Sequence, residues 1–239
     1  MKTLLSSAVI ISTLFIGCAN DTATKAPQKH SKSKMQMFQT VPMKSATLLQ
    51  SGEQKAFCVN CGMNLPMFYK TNHSAKVDGK TKQYCSIHCL EKDLIDGKNP
   101  SDIKVVDTNT LKFIDAKSAF YVLGSNKKGT MSGVSKYAFS TKQEAEKFIK
   151  ENGGKIGTFE DALELSKKDF SPQMMSKMKK KKAMMAKKGE EVYKSKCKQT
   201  SLPKFTSVAK AKAYITKNGV CSDLKGKPLQ MVGLYLFSK

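Results

Sequence analysis

The chain reads Phe57-Cys58-Val59-Asn60-Cys61-Gly62-Met63 and, further along, Cys85-Ser86-Ile87-His88-Cys89. Two cysteines separated by two residues can face one ion, because a tight turn brings their sulfurs together and Gly62 permits the positive φ that such a turn can need. Cys85 and Cys89 are four residues apart, which puts both side chains on one face if they open a helix. The two pairs can therefore supply one site.

Three interpretations of Cys58, Cys61, Cys85 and Cys89 stay open on spacing. Zinc prefers four tetrahedral ligands and accepts thiolates well, and two disulfides would suit an oxidising compartment. Cu(I) is the third, since thiolates and thioethers are its preferred donors. Spacing alone favours Zn(II), but Met63 shifts the balance toward Cu(I). It places a thioether two residues from a thiolate, where zinc has no use for it.

Sequence signals for two strands and a helix surround the second cysteine pair. Lys76-Val77-Asp78-Gly79-Lys80 has an Asp-Gly pair between two alternating runs, which predicts a tight hairpin turn. A strand then ends at Tyr84-Cys85, and Ser86 can cap a helix that runs to about Ile95. The sequence thus predicts a strand, a strand and a helix around the second cysteine pair.

A second unit is predicted to resemble the first. Its strand signals lie at 103–106, 112–114, 119–123, 137–139 and 155–157. Its helix begins after Ser140-Thr141 and stops at Gly153-Gly154. Two tandem strand-strand-helix-strand units predict an α+β domain over residues 53–166. Tyr84-Cys85-Ser86 parallels Ala138-Phe139-Ser140 at the strand-to-helix junction, which indicates internal duplication.

The amino terminus has the features of an export signal. Residues 1–17 contain an apolar run from Leu4 to Ile16, with the size and polarity of a signal peptide. Gly17-Cys18 resembles the lipobox of bacterial lipoproteins, so we expect Cys18 to be the lipidated first residue; an ordinary signal peptide is the alternative. Acyl chains would hold the protein at a membrane, at roughly 0.8 kcal/mol per buried methylene. Ala19, where aspartate would indicate inner-membrane retention, favours the outer membrane.

Composition separates the remaining segments and argues against one class of partner. Residues 18–52 are polar and predict a flexible tether, and residues 167–188 read as a linker rich in lysine and methionine. The net charge is +23, yet the sequence contains no arginine. Specific base contacts lean on the guanidinium group, so we expect no nucleic-acid partner.

Residues 189–239 predict a small all-α tail of three helices, at 190–198, 207–217 and 227–237. The tail resembles a degenerate cytochrome c, with Gly189-Glu190-Glu191-Val192-Tyr193 leading to Cys197 and a closing helix near the end. Covalent haem needs a second cysteine and a histidine directly after it, and both are absent, so we expect no haem. Cys197 and Cys221 instead form a candidate disulfide.

Cys58-Val59-Asn60-Cys61-Gly62-Met63 resembles the Cys-x-x-Cys-Gly-Met signature of the NosL family. The resemblance continues through Tyr121-Val122-Leu123-Gly124-Ser125, Gly129-Thr130-Met131-Ser132-Gly133 and Tyr137-Ala138-Phe139-Ser140. It implies a periplasmic, lipid-anchored Cu(I) protein that acts with a membrane transporter complex in maturing the copper centres of nitrous oxide reductase. It also implies a fold like that of organomercurial lyase. The family signature carries over to Cys58, Cys61 and Met63, and the later methionine to Met131.

Several residues keep two interpretations. Cys85 and Cys89 lie outside the family signature and resemble treble-clef metal modules, which leaves the metal and its ligand set open. Met131 is either a ligand or an ordinary loop residue, and His88 either joins the site or points outward. His73 reads as an exposed loop residue. Because no acid-base pair, serine motif or cofactor loop is present, we expect a carrier of metal and not an enzyme.

Overall fold

The structure is a computed structural model that describes residues 37–239. Within that part, seven strands β1–β7 span His73–Val77, Lys80–Tyr84, Ser101–Val106, Phe113–Asp115, Phe120–Leu123, Lys136–Phe139 and Lys155–Gly157. Six α-helices α1–α6 span Ile87–Ile95, Lys142–Asn152, Phe159–Lys167, Pro172–Lys196, Val208–Lys217 and Gly226–Phe237. Short 3-10 helices lie at Met43–Ser45, Pro66–Thr71 and Lys168–Phe170. The predicted α+β class is confirmed.

The first sheet carries the cysteine-bearing half of the fold. Its antiparallel strands lie in the order β2-β1-β3-β4. The hairpin between β1 and β2 turns at Asp78 and Gly79, which both have positive φ as an Asp-Gly turn requires. The strands at 103–106 and 112–114 were predicted in the second unit, but β3 pairs with β1, His73 opposite Val105, and β4 pairs with β3. That assignment is wrong, because antiparallel pairing completes the first sheet.

The second sheet repeats the arrangement of the first. Its strands lie in the order β6-β5-β7. In each sheet the first strand of the unit, β1 or β5, therefore lies between the next strand along the chain and the strand that follows the helix of that unit. Thr141 caps α2 by accepting a hydrogen bond from the Glu144 N–H, and Gly153 ends it with φ 67°. This common topology is what internal duplication would produce. The expected likeness to organomercurial lyase stays a prediction.

Residues 37–52 pack on the domain instead of continuing the predicted tether. Gln39 and Gln50 are buried. The Gln50 side chain donates to the Phe57 carbonyl at 2.7 Å, and the backbone N–H of Val41 donates to the Pro66 carbonyl at 3.0 Å. The polar composition of residues 37–52 did not reveal this packing, because glutamine side-chain amides can be buried when they form hydrogen bonds with backbone groups of the domain. The predicted signal peptide and Cys18 lie outside the described residues.

The C-terminal helices form one packed layer. The predicted linker at 167–188 lies largely within α4, which begins with Pro172 at its first turn and continues through the first predicted tail helix. Gly189 lets α4 approach α6 closely, since a Cβ there would come 2.0 Å from the Met231 carbonyl oxygen. Cys197 and Cys221 are joined by a disulfide. No helix in residues 37–239 is long and apolar enough to cross a membrane.

Candidate metal centre

The first cysteine pair lies in a tight loop between Cys58 and Met63. The Cys58 N–H donates to the Met63 carbonyl at 2.8 Å, and the Gly62 N–H donates to the Cys58 carbonyl at 2.9 Å. Gly62 has φ 71°, the left-handed conformation that glycine adopts without strain. These backbone bonds hold Cys58 and Cys61 on one side of the loop.

The second pair bridges a strand end and a helix start. Cys85 directly follows β2, and Cys89 lies in the first turn of α1. The Sγ atoms of all four cysteines lie within 4.8 Å of one another, with Cys61 to Cys85 at 3.5 Å and Cys85 to Cys89 at 3.7 Å. Four sulfurs at about 2.3 Å from one tetrahedral ion would be about 3.8 Å apart. The cluster therefore fits a single soft metal ion.

Burial and shared protons set the electrostatics of this four-cysteine cluster. Burial raises the pKa of Cys58, but hydrogen bonds from the other three thiols outweigh it and hold that pKa well below its usual value. Hydrogen bonding to Cys58 and Cys61, with burial, raises the pKa of Cys85 and Cys89 well above theirs. One thiolate is thus stabilised by neighbouring thiols, and a metal ion would displace the remaining protons.

Met63 and Met131 pack against the apolar core of the domain. Both are half-buried and pack against the group of buried residues that contains the four cysteines. Met131 has φ 62°, unusual for a residue with a side chain. Their roles as thioether ligands stay predictions.

The two histidines of the domain lie elsewhere. His88 lies outside the group of four sulfurs; its ring stacks on Phe170 at 4.3 Å, and its Nδ1 is 3.8 Å from Asp169. His73 was predicted to be exposed, but it is buried. Its Nδ1 lies 3.1 Å from the Thr71 carbonyl and its Nε2 3.1 Å from the Tyr121 hydroxyl. His73 therefore joins β1 to β5 in the core.

Asn60, within the first motif, ties the two cysteine segments together. Its side-chain amide donates to the Cys89 carbonyl at 2.6 Å and to Asp93 at 2.9 Å. Asp93 also accepts from Tyr84 and Lys98. Burial raises the pKa of Asp93, but these donors outweigh it and lower that pKa. The sequence carries no sign of this network other than a polar residue between two cysteines.

Residues of the C-terminal helices also reach the loop. Gln230 on α6 donates to the Cys61 carbonyl at 2.9 Å, and Lys212 on α5 donates to the Gly62 carbonyl at 2.5 Å. Phe57 packs in the apolar core of the helical layer. Spacing in the sequence gives no sign of these contacts, because more than a hundred residues separate the partners.

The central part of the chain matches a known protein family. Residues 50–166 match the NosL family model, close to the predicted domain at 53–166. The crystal structure of the copper chaperone NosL from Shewanella denitrificans is 28% identical, and the match covers 50% of this chain and 96% of that chain with a TM-score of 0.38. No curated protein matches the chain.

Proposed function

Because residues 50–166 of this chain form a NosL family domain, we propose that the protein is a copper-binding chaperone whose cargo is Cu(I). NosL is a family of copper chaperones and not of enzymes, in agreement with the prediction that the chain is a carrier. The observation that carries the proposal is the group of four sulfurs within 4.8 Å of one another, two of which, on Cys58 and Cys61, belong to the family motif.

The chemistry of the donors favours Cu(I). Thiolate and thioether sulfurs are soft, polarisable ligands and bind Cu(I) in preference to harder ions. The four cysteines supply the thiolates. Met63 and Met131 pack against the same buried group and are the thioethers available to complete or exchange the coordination. We expect them to assist transfer, since a carrier has to release its ion.

Location and partners belong to the same proposal. An apolar run ending in Gly17-Cys18 supports export and lipidation at Cys18. The protein would then act in the periplasm, anchored to a membrane, with a transporter complex that matures the copper centres of nitrous oxide reductase. Mass spectrometry of the mature protein should find diacylglycerol on Cys18. Loss of the protein should lower the copper content of nitrous oxide reductase.

A competition titration tests the cargo. Anaerobically purified protein is titrated against a chromophoric Cu(I) chelator, and we expect Cys58→Ser or Cys61→Ser to abolish tight binding. Met63→Leu should weaken binding with the fold intact, because the two side chains have similar volume. Met184→Leu, on the exposed face of α4, is the matched control. Equal Cu(I) affinity in the wild type and Cys58→Ser would end the copper proposal.

A structural zinc site is the second candidate, in a lipoprotein that serves as an interaction module. Four buried cysteines, each able to give one ligand atom, specifically favour it. Zinc predicts that Met63→Leu changes nothing and that removing the metal unfolds the domain. Circular dichroism before and after chelation, with metal analysis of the purified protein, separates the two candidates.

A further inference from the structure

Lys212 carries a charge into the interior next to the metal loop. It lies on α5 with only 2% of its surface exposed. Its Nζ donates to the Gly62 carbonyl at 2.5 Å and to Gln230 Oε1 at 2.8 Å, and it lies 4.2 Å from the centre of the Phe57 ring. Neither of these two hydrogen-bond partners, the Gly62 carbonyl and Gln230 Oε1, is a carboxylate. A buried cation is costly unless an anion lies near it.

The four-cysteine cluster supplies that anion. Burial lowers the pKa of Lys212 to about 8, and the charges of Cys61, Cys58 and Cys85 oppose the decrease. The ammonium hydrogen-bonds the carbonyl of Gly62, the residue directly after Cys61. Lys212 therefore contacts the backbone of the loop that carries Cys61.

Two glycines make this approach possible. A Cβ on Gly62 would come 2.5 Å from Val208 Cγ1, so the loop can lie against α5 only with glycine there. A Cβ on Gly233 in α6 would come 2.5 Å from Lys212 Cγ, so Gly233 makes room for the lysine stem. Gln230 completes the contact, since its amide accepts from Lys212 and donates to the Cys61 carbonyl. The loop and the helical layer thus share one interlocked contact.

We propose that α5 and α6 are part of the metal centre and that Lys212 is a positioning residue whose charge stabilises the metal–thiolate complex. Four thiolates around one Cu(I) or one Zn(II) leave a net negative charge, so a cation fixed nearby favours the loaded state over the metal-free state. The inference rests on the proposed metal-binding function. It adds a helical segment outside the family match at residues 50–166.

Lys212→Met tests the charge. Methionine keeps an unbranched stem beside Gly233 and removes the ammonium. Lys212→Gln is the second variant, because it keeps a hydrogen-bond donor for the Gly62 carbonyl without the charge. Lys210→Met is the matched control, since Lys210 is an exposed lysine on the same helix. Full-length protein is titrated anaerobically with Cu(I) and, separately, with Zn(II), each against a chelator of known affinity.

We expect Lys212→Met and Lys212→Gln to lower metal affinity about tenfold or more, and Lys210→Met to change it less than about twofold. The loss should persist at high salt, because buried charges are screened less than exposed ones. Circular dichroism of the metal-free variants should match the wild type. A purely structural lysine would instead lower metal-free stability in Lys212→Met and leave the metal affinity of the folded protein unchanged.

The outcomes separate this inference from the proposed function. Wild-type Cu(I) binding that Lys212→Met and Lys212→Gln leave unchanged overturns the inference and leaves the copper proposal intact. Wild-type protein that binds Zn(II) and ignores Cu(I) ends the copper proposal, and the Lys212 comparison made with Zn(II) then decides the inference. Wild-type protein that binds neither ion ends both.

Discussion

The two strand-strand-helix-strand units share one topology and differ in what fills the junction between the second strand and the helix. In the first unit, Tyr84-Cys85-Ser86 leads into α1 with two cysteines of the cluster nearby. In the second, Ala138-Phe139-Ser140 leads into α2, and Phe139 packs 5.1 Å from Phe148. Aromatic side chains thus pack at this junction in the second unit, and cysteine sulfurs lie at the equivalent junction in the first unit. The second unit therefore adopts this topology without a cysteine at the junction.

This difference bears on the role of the cysteines. If the same arrangement of strands and helix is stable with an apolar junction, a metal in the first unit need not hold the fold together. The Tyr84–Asp93 hydrogen bond at 2.9 Å and the Asn60 contacts to α1 also support the first unit without an ion. We therefore expect the metal-free domain to stay folded, as a carrier that loads and unloads its cargo requires.

The largest expected effect comes from a substitution in the apolar junction of the second unit. Phe148→Ala removes a ring that packs against Phe38, Tyr137 and Phe139, and should lower the free energy of unfolding by about 3–5 kcal/mol. Urea unfolding followed by circular dichroism measures it. Metal affinity of the folded variant should equal that of the wild type. A loss of metal affinity without loss of stability would show that the units are not separable in this way.

A smaller effect concerns the histidine that joins the sheets. Burial, aided by the charge of Lys136 and opposed by the bond to the Thr71 carbonyl, lowers the pKa of His73 to about 4. In the unfolded chain this pKa is about 6.5, so between those values the unfolded state binds more protons and stability falls as the pH decreases. The contribution of His73 to that decrease is at most about 3 kcal/mol.

Urea unfolding from pH 7 to pH 4 measures this effect. Carboxylates titrate in the same range, so the contribution of His73 is the difference between the wild type and His73→Gln. We expect a shallower loss of stability in the variant. Parallel pH profiles for the two proteins would contradict a neutral, buried His73.

The smallest expected effect comes from a substitution at the cysteine junction of the first unit. Asn60→Ala removes two hydrogen bonds, to the Cys89 carbonyl and to Asp93. We expect a loss of stability of about 1 kcal/mol. Metal affinity should fall about tenfold, because the two cysteine segments are then less well aligned. Thr141→Ala, which removes the cap of α2 in the second unit, should cost a similar amount of stability and leave metal affinity unchanged.

Local signals were enough for most of the fold. The Asp-Gly turn, the stop at Gly153-Gly154 and the helices near 87–95 and 208–217 were predicted, because each depends on residues close together in sequence. The assignment of β3 and β4 to the second unit was wrong, since a short strand carries no mark of its partner. The tether to residue 52 was placed by polarity, which cannot show that Gln39 and Gln50 would be buried.

By itself the sequence determined which donor groups are available: two cysteine pairs and a thioether beside one of them, within a family signature, all at short spacings. Tertiary structure alone decided what surrounds these candidate ligands. It brought four sulfurs within 4.8 Å of one another, placed His88 against Phe170, and set Lys212 beneath the Gly62 carbonyl. The physical reason is that donor type depends on which side chains are present. Charge compensation depends on which side chains the packed helices bury together.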